Sequence, residues 1–300
     1  MENENSDRRR FVRKLVSVAA LGGLGALLLG RQVEKVSAAG GANQIAYYTA
    51  PDTYTGSDNL RWYDTDRNFV AGYSGNTVAT GVVGATISGG GSSSYINKVT
   101  DDYGTVGGGR GNQAGDNAGT TSDRLYATVG GGVANIASGV SATVGGGYGN
   151  TASGSDASVG GGTSNAASGY SASVGGGYSN TASGFRATVP GGAENIAAGD
   201  YSFAAGRRAK INAAHDGSFL FSDSSSFDFN SSAANEFALR ATGGARFVTA
   251  IDGTGAPIRS FVMTPGGNLG VGAASPVSPI HVMIPAGEPA SLIAIRAEGE

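Results

Sequence analysis

From Ala127 onward the apolar and polar positions follow a fixed order that returns every 15 residues. One unit is Ala127-Thr128-Val129-Gly130-Gly131-Gly132-Val133-Ala134-Asn135-Ile136-Ala137-Ser138-Gly139-Val140-Ser141. The next four begin at Ala142, Ala157, Ala172 and Ala187, and a degenerate sixth begins at Ser202. Val129, Val144, Val159, Val174 and Val189 share a column that Ala204 continues. Asn135, Asn150, Asn165, Asn180 and Asn195 fill a second column, which Lys210 breaks. Two glycine columns start at Gly131 and Gly139. Valine between small polar neighbours predicts a strand with one apolar edge, around Ala-Thr/Ser-Val, and a second strand follows around Asn-x-Ala. Glycine marks turns with positive φ or close backbone approach.

Fifteen residues are too few for a helical or leucine-rich repeat. The expectation is an all-β fold: a single-stranded parallel β-roll, or solenoid, of 15-residue coils stacked ~4.8 Å apart. Equivalent residues then lie above one another, and the Asn column becomes a side-chain amide ladder between coils. Upstream the period is looser. Thr105-Val106-Gly107-Gly108-Gly109 starts a unit with Asn112 and Ala114 in phase, and Ala85-Thr86-Ile87-Ser88-Gly89-Gly90-Gly91 starts an earlier one. The distance from Gly104 to Ala127 is one period plus eight residues, an insertion that predicts a loop on one face.

The roll is therefore placed at 85–216. Residues 39–84, with Trp62, Tyr63 and Tyr73 between turn residues, are expected to form an N-terminal β cap. A sugar-binding aromatic cluster is the alternative there. Residues 217–273 alternate around Phe219-Leu220-Phe221, Phe237-Ala238-Leu239 and Arg246-Phe247-Val248, as a C-terminal β cap or oligomerisation region would. Residues 274–300 are a tail. Each coil offers one Val, two or three Ala and at most an Ile or Tyr, less apolar surface than ordering fifteen residues requires. A second apolar column is thus expected to pack against other copies of the chain.

Composition narrows the chemistry. Gly is 53 of 300 residues, without the three-residue period of collagen, and hydrophobic residues at 40% argue against general disorder. There is no Cys, which excludes disulfides, thiolate metal sites and a Cys nucleophile. Only His215 and His281 remain for imidazole chemistry. No catalytic, metal or cofactor residue is expected. Asp223, Asp228 and Asp252 lack the regular spacing of calcium-binding nonapeptides, and Asp216 beside His215 has no nucleophile motif with it.

The N-terminus reads as an export signal, 1–38. Arg8, Arg9, Arg10, Arg13 and Lys14 precede an uncharged stretch from Leu15 to Gly30, and Val36-Ser37-Ala38 supplies small residues for cleavage. Arg8-Arg9-Arg10-Phe11-Val12-Arg13 resembles the twin-arginine consensus, with Arg8, Arg9 and Phe11 at its key positions. Removing residues 1–38 takes seven bases and four acids and leaves 13 bases and 19 acids, a net charge near −6. Nucleic acid is not an expected partner. The expected location is extracellular or at the cell surface.

Thr143-Val144-Gly145-Gly146-Gly147-Tyr148-Gly149-Asn150-Thr151-Ala152-Ser153-Gly154 resembles the head repeats of trimeric autotransporter adhesins of the YadA-like type. Tyr201-Ser202-Phe203-Ala204-Ala205-Gly206-Arg207-Arg208-Ala209 is similar to the segment that closes such arrays. The resemblance implies a left-handed roll, a homotrimer and an adhesive or spacer role on a surface. Thr264-Pro265-Gly266-Gly267-Asn268-Leu269-Gly270-Val271-Gly272 is similar to a segment of phage-tail-like fibres. No heptad run and no set of amphipathic barrel strands is visible, so no integral membrane domain is expected after signal removal. Tyr148 and Tyr178 share a column two coils apart and are candidate contacts for a surface glycan or matrix ligand. A purely structural coat or spacer and a tailspike-like glycan hydrolase are the alternatives.

Overall fold

The computed structural model describes residues 44–50, 53–254, 257–273 and 275–283. Arg8, Arg9, Phe11 and Ala38, which the sequence pattern assigns to an expected export signal, lie outside the described residues, as does most of the 274–300 segment. The chain is an all-β parallel solenoid with coils of about 15 residues, and no helix occurs among the described residues.

Two sheets run the length of the solenoid. The first is 13-stranded and contains the valine strands Thr128–Val129, Thr143–Val144, Ser158–Val159, Ser173–Val174 and Thr188–Val189. The second is 10-stranded and contains Ile136–Ala137, Thr151–Ala152, Ala166–Ala167, Thr181–Ala182 and Ile196–Ala197. Within the regular coils the pairing is parallel and in register at a 15-residue offset, with Val144 opposite Val159 and Ala152 opposite Ala167. Each strand is only two residues long because the next glycine or serine turns the chain. The ladder nevertheless continues past the strand, with the Gly145 N–H donating to the Val159 carbonyl at 2.9 Å.

Between the sheets lies a thin core. Val144 and Ala152 point inward from the two strands and Ala142 from the turn before, and all three are fully buried. Their equivalents in neighbouring coils are buried alike, so small side chains set the narrow separation of the sheets. The outward partners, Thr143 and Thr151, stay partly or largely exposed.

The asparagine column closes the third side of the core. Asn150 is fully buried; its side-chain nitrogen donates to Gly146 O in its own coil at 2.8 Å and to Gly162 O in the next at 2.9 Å. Its side-chain oxygen accepts the backbone N–H of Asn165 at 2.9 Å. The ladder therefore runs from side chain to backbone, rather than amide to amide as the stacking of identical residues suggested. At the turns the Gly146 carbonyl and the Asn165 N–H need partners, and the side chain supplies them. One amide–amide contact occurs, from Asn195 Nδ2 to Asn180 Oδ1 at 3.0 Å, at the last rung.

The winding reaches beyond 85–216 at both ends. Asn68–Ala71 pairs in parallel with Thr86–Ile87, and Thr77–Val78 with Lys98–Val99, so the first coil falls inside the segment assigned to the N-terminal cap. Ahead of it, Gln44–Ala50 and Thr53–Tyr63 form an antiparallel hairpin that joins the edge of Asn68–Ala71. At the other end, Phe219–Ser222 pairs in parallel with Phe203–Gly206 and with Phe237–Arg240. The C-terminal coils carry no glycine triplet and the first coil keeps only Gly72 of it, at φ +87°, which hid these coils from the period. From Ala245 to Val282 the strands form a separate four-stranded sheet.

Candidate functional surface

The outward positions of the coils form columns, and aromatic residues mark three sets of them. The first follows the glycine turn. Val133, Tyr148, Thr163, Tyr178 and Ala193 are joined by single parallel bridges, and Tyr148 N–H donates to Gly162 O at 2.9 Å. Each is followed by a residue in the left-handed region, such as Ser164 at φ 56° or Glu194 at φ 59°. That conformation turns the chain back toward the buried asparagine. Tyr148 and Tyr178 are 58% and 54% exposed, so both rings project away from the core on one edge. Thr163 between them leaves a gap of two coil spacings, ~9.6 Å.

The opposite turn carries two adjacent aromatic columns that sequence reasoning missed, one with Tyr170 and Phe185 and the next with Tyr103, Tyr126 and Tyr201. Tyr170 stacks on Phe185 with ring centroids 5.4 Å apart, and Tyr201 meets Phe185 edge-on at 5.4 Å. The Arg186 guanidinium lies 4.9 Å over the Phe185 ring. Lower on the solenoid Tyr103 stacks on Tyr126 at 5.2 Å. The signal was present, since Tyr170 and Phe185 stand one period apart. The third is a column that caps the outer face of the valine sheet, where Phe203, Phe219 and Phe237 stack at 4.6 and 5.0 Å. Below them the column is Thr and Ser, with Ser158 Oγ and Ser173 Oγ 3.3 Å apart.

The glycine columns differ in what requires them. Gly147 has φ +91°, and a Cβ there would lie 2.1 Å from the Gly162 carbonyl oxygen. Backbone approach within the chain explains that column. The adjacent column is Gly89, Gly108, Gly131, Gly146, Gly161, Gly176 and Gly191, in which no residue has a left-handed φ. A Cβ on any of these would meet nothing closer than 3.8 Å. Nothing within one chain requires glycine there, and the result is a bare strip of backbone on the surface.

The carboxylates considered at the sequence level are engaged separately. Asp223 accepts the Thr242 N–H at 2.8 Å and its hydroxyl at 2.7 Å, and pairs with Arg240 Nε at 3.2 Å. The hydrogen bonds, first that of the Thr242 N–H, hold the Asp223 carboxyl well below the usual carboxylate range. Asp228 faces Arg208 Nη1 at 3.5 Å. His215 Nδ1 lies 2.6 Å from Ser231 Oγ, which also accepts the Asn212 N–H, tying the turn before Phe219 to the following coil. Asp216 takes the Asp200 N–H at 2.8 Å across the coils. The aspartates that do come together are Asp101, Asp116 and Asp123, none of which the sequence pattern singled out. No helix among the described residues is long and apolar enough to cross a membrane. In comparisons with known proteins, no family model and no curated protein matches the chain.

Proposed function

We propose that the chain is an exported, non-enzymatic surface protein, an adhesin-like head or fibre module that works by multivalent display on a homotrimeric, left-handed roll. The observation that carries this reading is the bare glycine strip from Gly89 to Gly191, which no contact within the chain explains. Repeated absence of a side chain on an outward position suits close approach of a second backbone. The small core points the same way, because one Val and two Ala per coil leave the outward columns to supply further apolar burial. Handedness and three-fold association come from the resemblance of the repeats to YadA-like adhesin heads.

Display on such a rod needs no deep pocket. Tyr148 and Tyr178 stand exposed on one edge, and three chains carrying several weak contacts gain avidity through effective concentration. A surface glycan or matrix protein is the class of ligand that exposed tyrosines suit. A structural spacer is the second reading, favoured by the unbroken asparagine ladder, which gives a stiff rod. Binding of purified protein to immobilised glycans and matrix proteins tests the first reading. Tyr148→Ala with Tyr178→Ala is expected to lower binding tenfold or more while the melting temperature holds; undiminished binding argues against those residues, and no binding by either protein favours the spacer.

A further inference from the structure

Asp101 occupies the position that Gly139, Gly154 and Gly169 hold in regular coils, two residues after the strand of the second sheet. In those coils a Cβ would lie 2.0 Å from the carbonyl of the next coil. Room for a side chain exists at Asp101 because the next coil carries the eight-residue insertion and detours through residues 115–126. Gly115 begins the detour with φ +105°, and a Cβ on it would strike Asp101 Oδ2 and Thr100 Oγ1.

The Asp101 side chain is fully buried. Its Oδ2 accepts the Thr100 hydroxyl at 2.9 Å and the Asp116 N–H at 3.0 Å, while its Oδ1 is buried and receives no donor. A dehydrated carboxylate oxygen without a partner is costly in a folded protein. Two further carboxylates stand beside it. One oxygen from each of Asp101, Asp116 and Asp123 lies within 4.8 Å of the others. Arg124 supplies one positive charge, 3.1 Å from Asp116 and 3.9 Å from Asp123, against three carboxylates. Burial, with Asp116 and Asp123 adding repulsion, pushes the Asp101 carboxyl up.

We propose that Asp101, Asp116 and Asp123 form a binding site for a hard divalent cation, with Ca²⁺ the ion that fits. Ca²⁺ holds carboxylate oxygens at ~2.3–2.6 Å, so ligand atoms up to roughly 5 Å apart share one ion. The all-oxygen set excludes preference for soft transition metals. Ligands drawn from a turn and an irregular loop suit the flexible sphere of Ca²⁺ better than the rigid octahedron of Mg²⁺. The ion would satisfy the orphaned oxygen and fix the insertion to the coil beneath it. This site depends neither on the oligomer nor on the adhesive reading.

The test is titration of the chelator-treated, purified protein with CaCl₂ by calorimetry, with melting curves alongside. The expected result is one Ca²⁺ per chain and a melting temperature that rises with Ca²⁺ concentration. Asp101→Asn keeps the side chain's shape and removes its charge; it is expected to weaken Ca²⁺ binding at least tenfold while melting no lower than the parent in chelator. Asp123→Asn, on the exposed loop, reports the same loss without touching the interior. Absence of heat and of any melting shift at millimolar Ca²⁺ overturns the site, as does unchanged binding by both variants in folded form. Equal or tighter binding of MgCl₂ overturns the choice of ion.

Discussion

Asn165 donates its backbone N–H to the side-chain oxygen of Asn150 at 2.9 Å, and in turn its own side-chain oxygen accepts the N–H of Asn180 at 3.0 Å. Its amide nitrogen donates to Gly161 O and Gly177 O, each at 2.9 Å. One buried side chain thus satisfies backbone groups in its own coil and the next, while the residue's backbone N–H reaches the coil before, and the register of the stack follows from that link.

Replacing it removes all three bonds. Asn165→Ala leaves the Gly161 carbonyl and the Asn180 N–H unpaired and takes one of two donors from the Gly177 carbonyl, which keeps the Thr163 N–H; it is expected to cost about 2 kcal/mol or more. Asn165→Asp keeps the acceptor but sets a carboxylate oxygen against two carbonyls, so it is expected to destabilise at least as much. Denaturant unfolding of both variants against the parent checks the order, and a loss below about 1 kcal/mol for Asn165→Ala would contradict the ladder's role.

Adjacent glycines are expected to differ sharply. Gly147→Ala places a methyl against the Gly162 carbonyl in a left-handed backbone, at a cost of about 2 kcal/mol or more to the fold. Gly146→Ala meets open space within the chain, and its effect on the fold of the single chain is expected within about 0.5 kcal/mol. A larger side chain, Gly146→Leu, is expected to reduce association and leave β content unchanged. Circular dichroism and sizing of the three variants separate the two columns.

The period of the regular coils made the solenoid, its register and its inward columns legible, because strict repetition stacks like on like. Where insertions break the period the reading fell short. Asn97 stands one period before Asn112 and takes the same place in the ladder, yet the four residues 92–95 displace it from its own Gly triplet. Asn76 extends the ladder below it through the Asn97 N–H. The Asp101 cluster was invisible for the same reason: its members stand in a glycine position and in an insertion, and only the folded detour brings them together. The column of Ala134, Ser164 and Glu194 adopts the left-handed region with varied side chains, so composition gave no sign of it.

Acid sensitivity is expected at the C-terminal coils. The Asp223 carboxyl titrates below its ordinary value of 3.8 in the folded chain, mainly through the Thr242 hydrogen bonds. Its contribution is therefore present above the unfolded value and lost as pH falls through the folded one. Melting temperatures measured from pH 6 to 2 are expected to fall less steeply for Asp223→Asn than for the parent below about pH 4. Parallel curves would show that Asp223 contributes nothing to acid unfolding.

Trimeric display requires association along the bare glycine strip. Light scattering on a sizing column, applied to residues 39–300, measures it in one step. Three chain masses, with melting that depends on protein concentration, is the predicted result. One chain mass in a folded state would contradict it, and would leave a free-standing solenoid whose glycine strip has no partner.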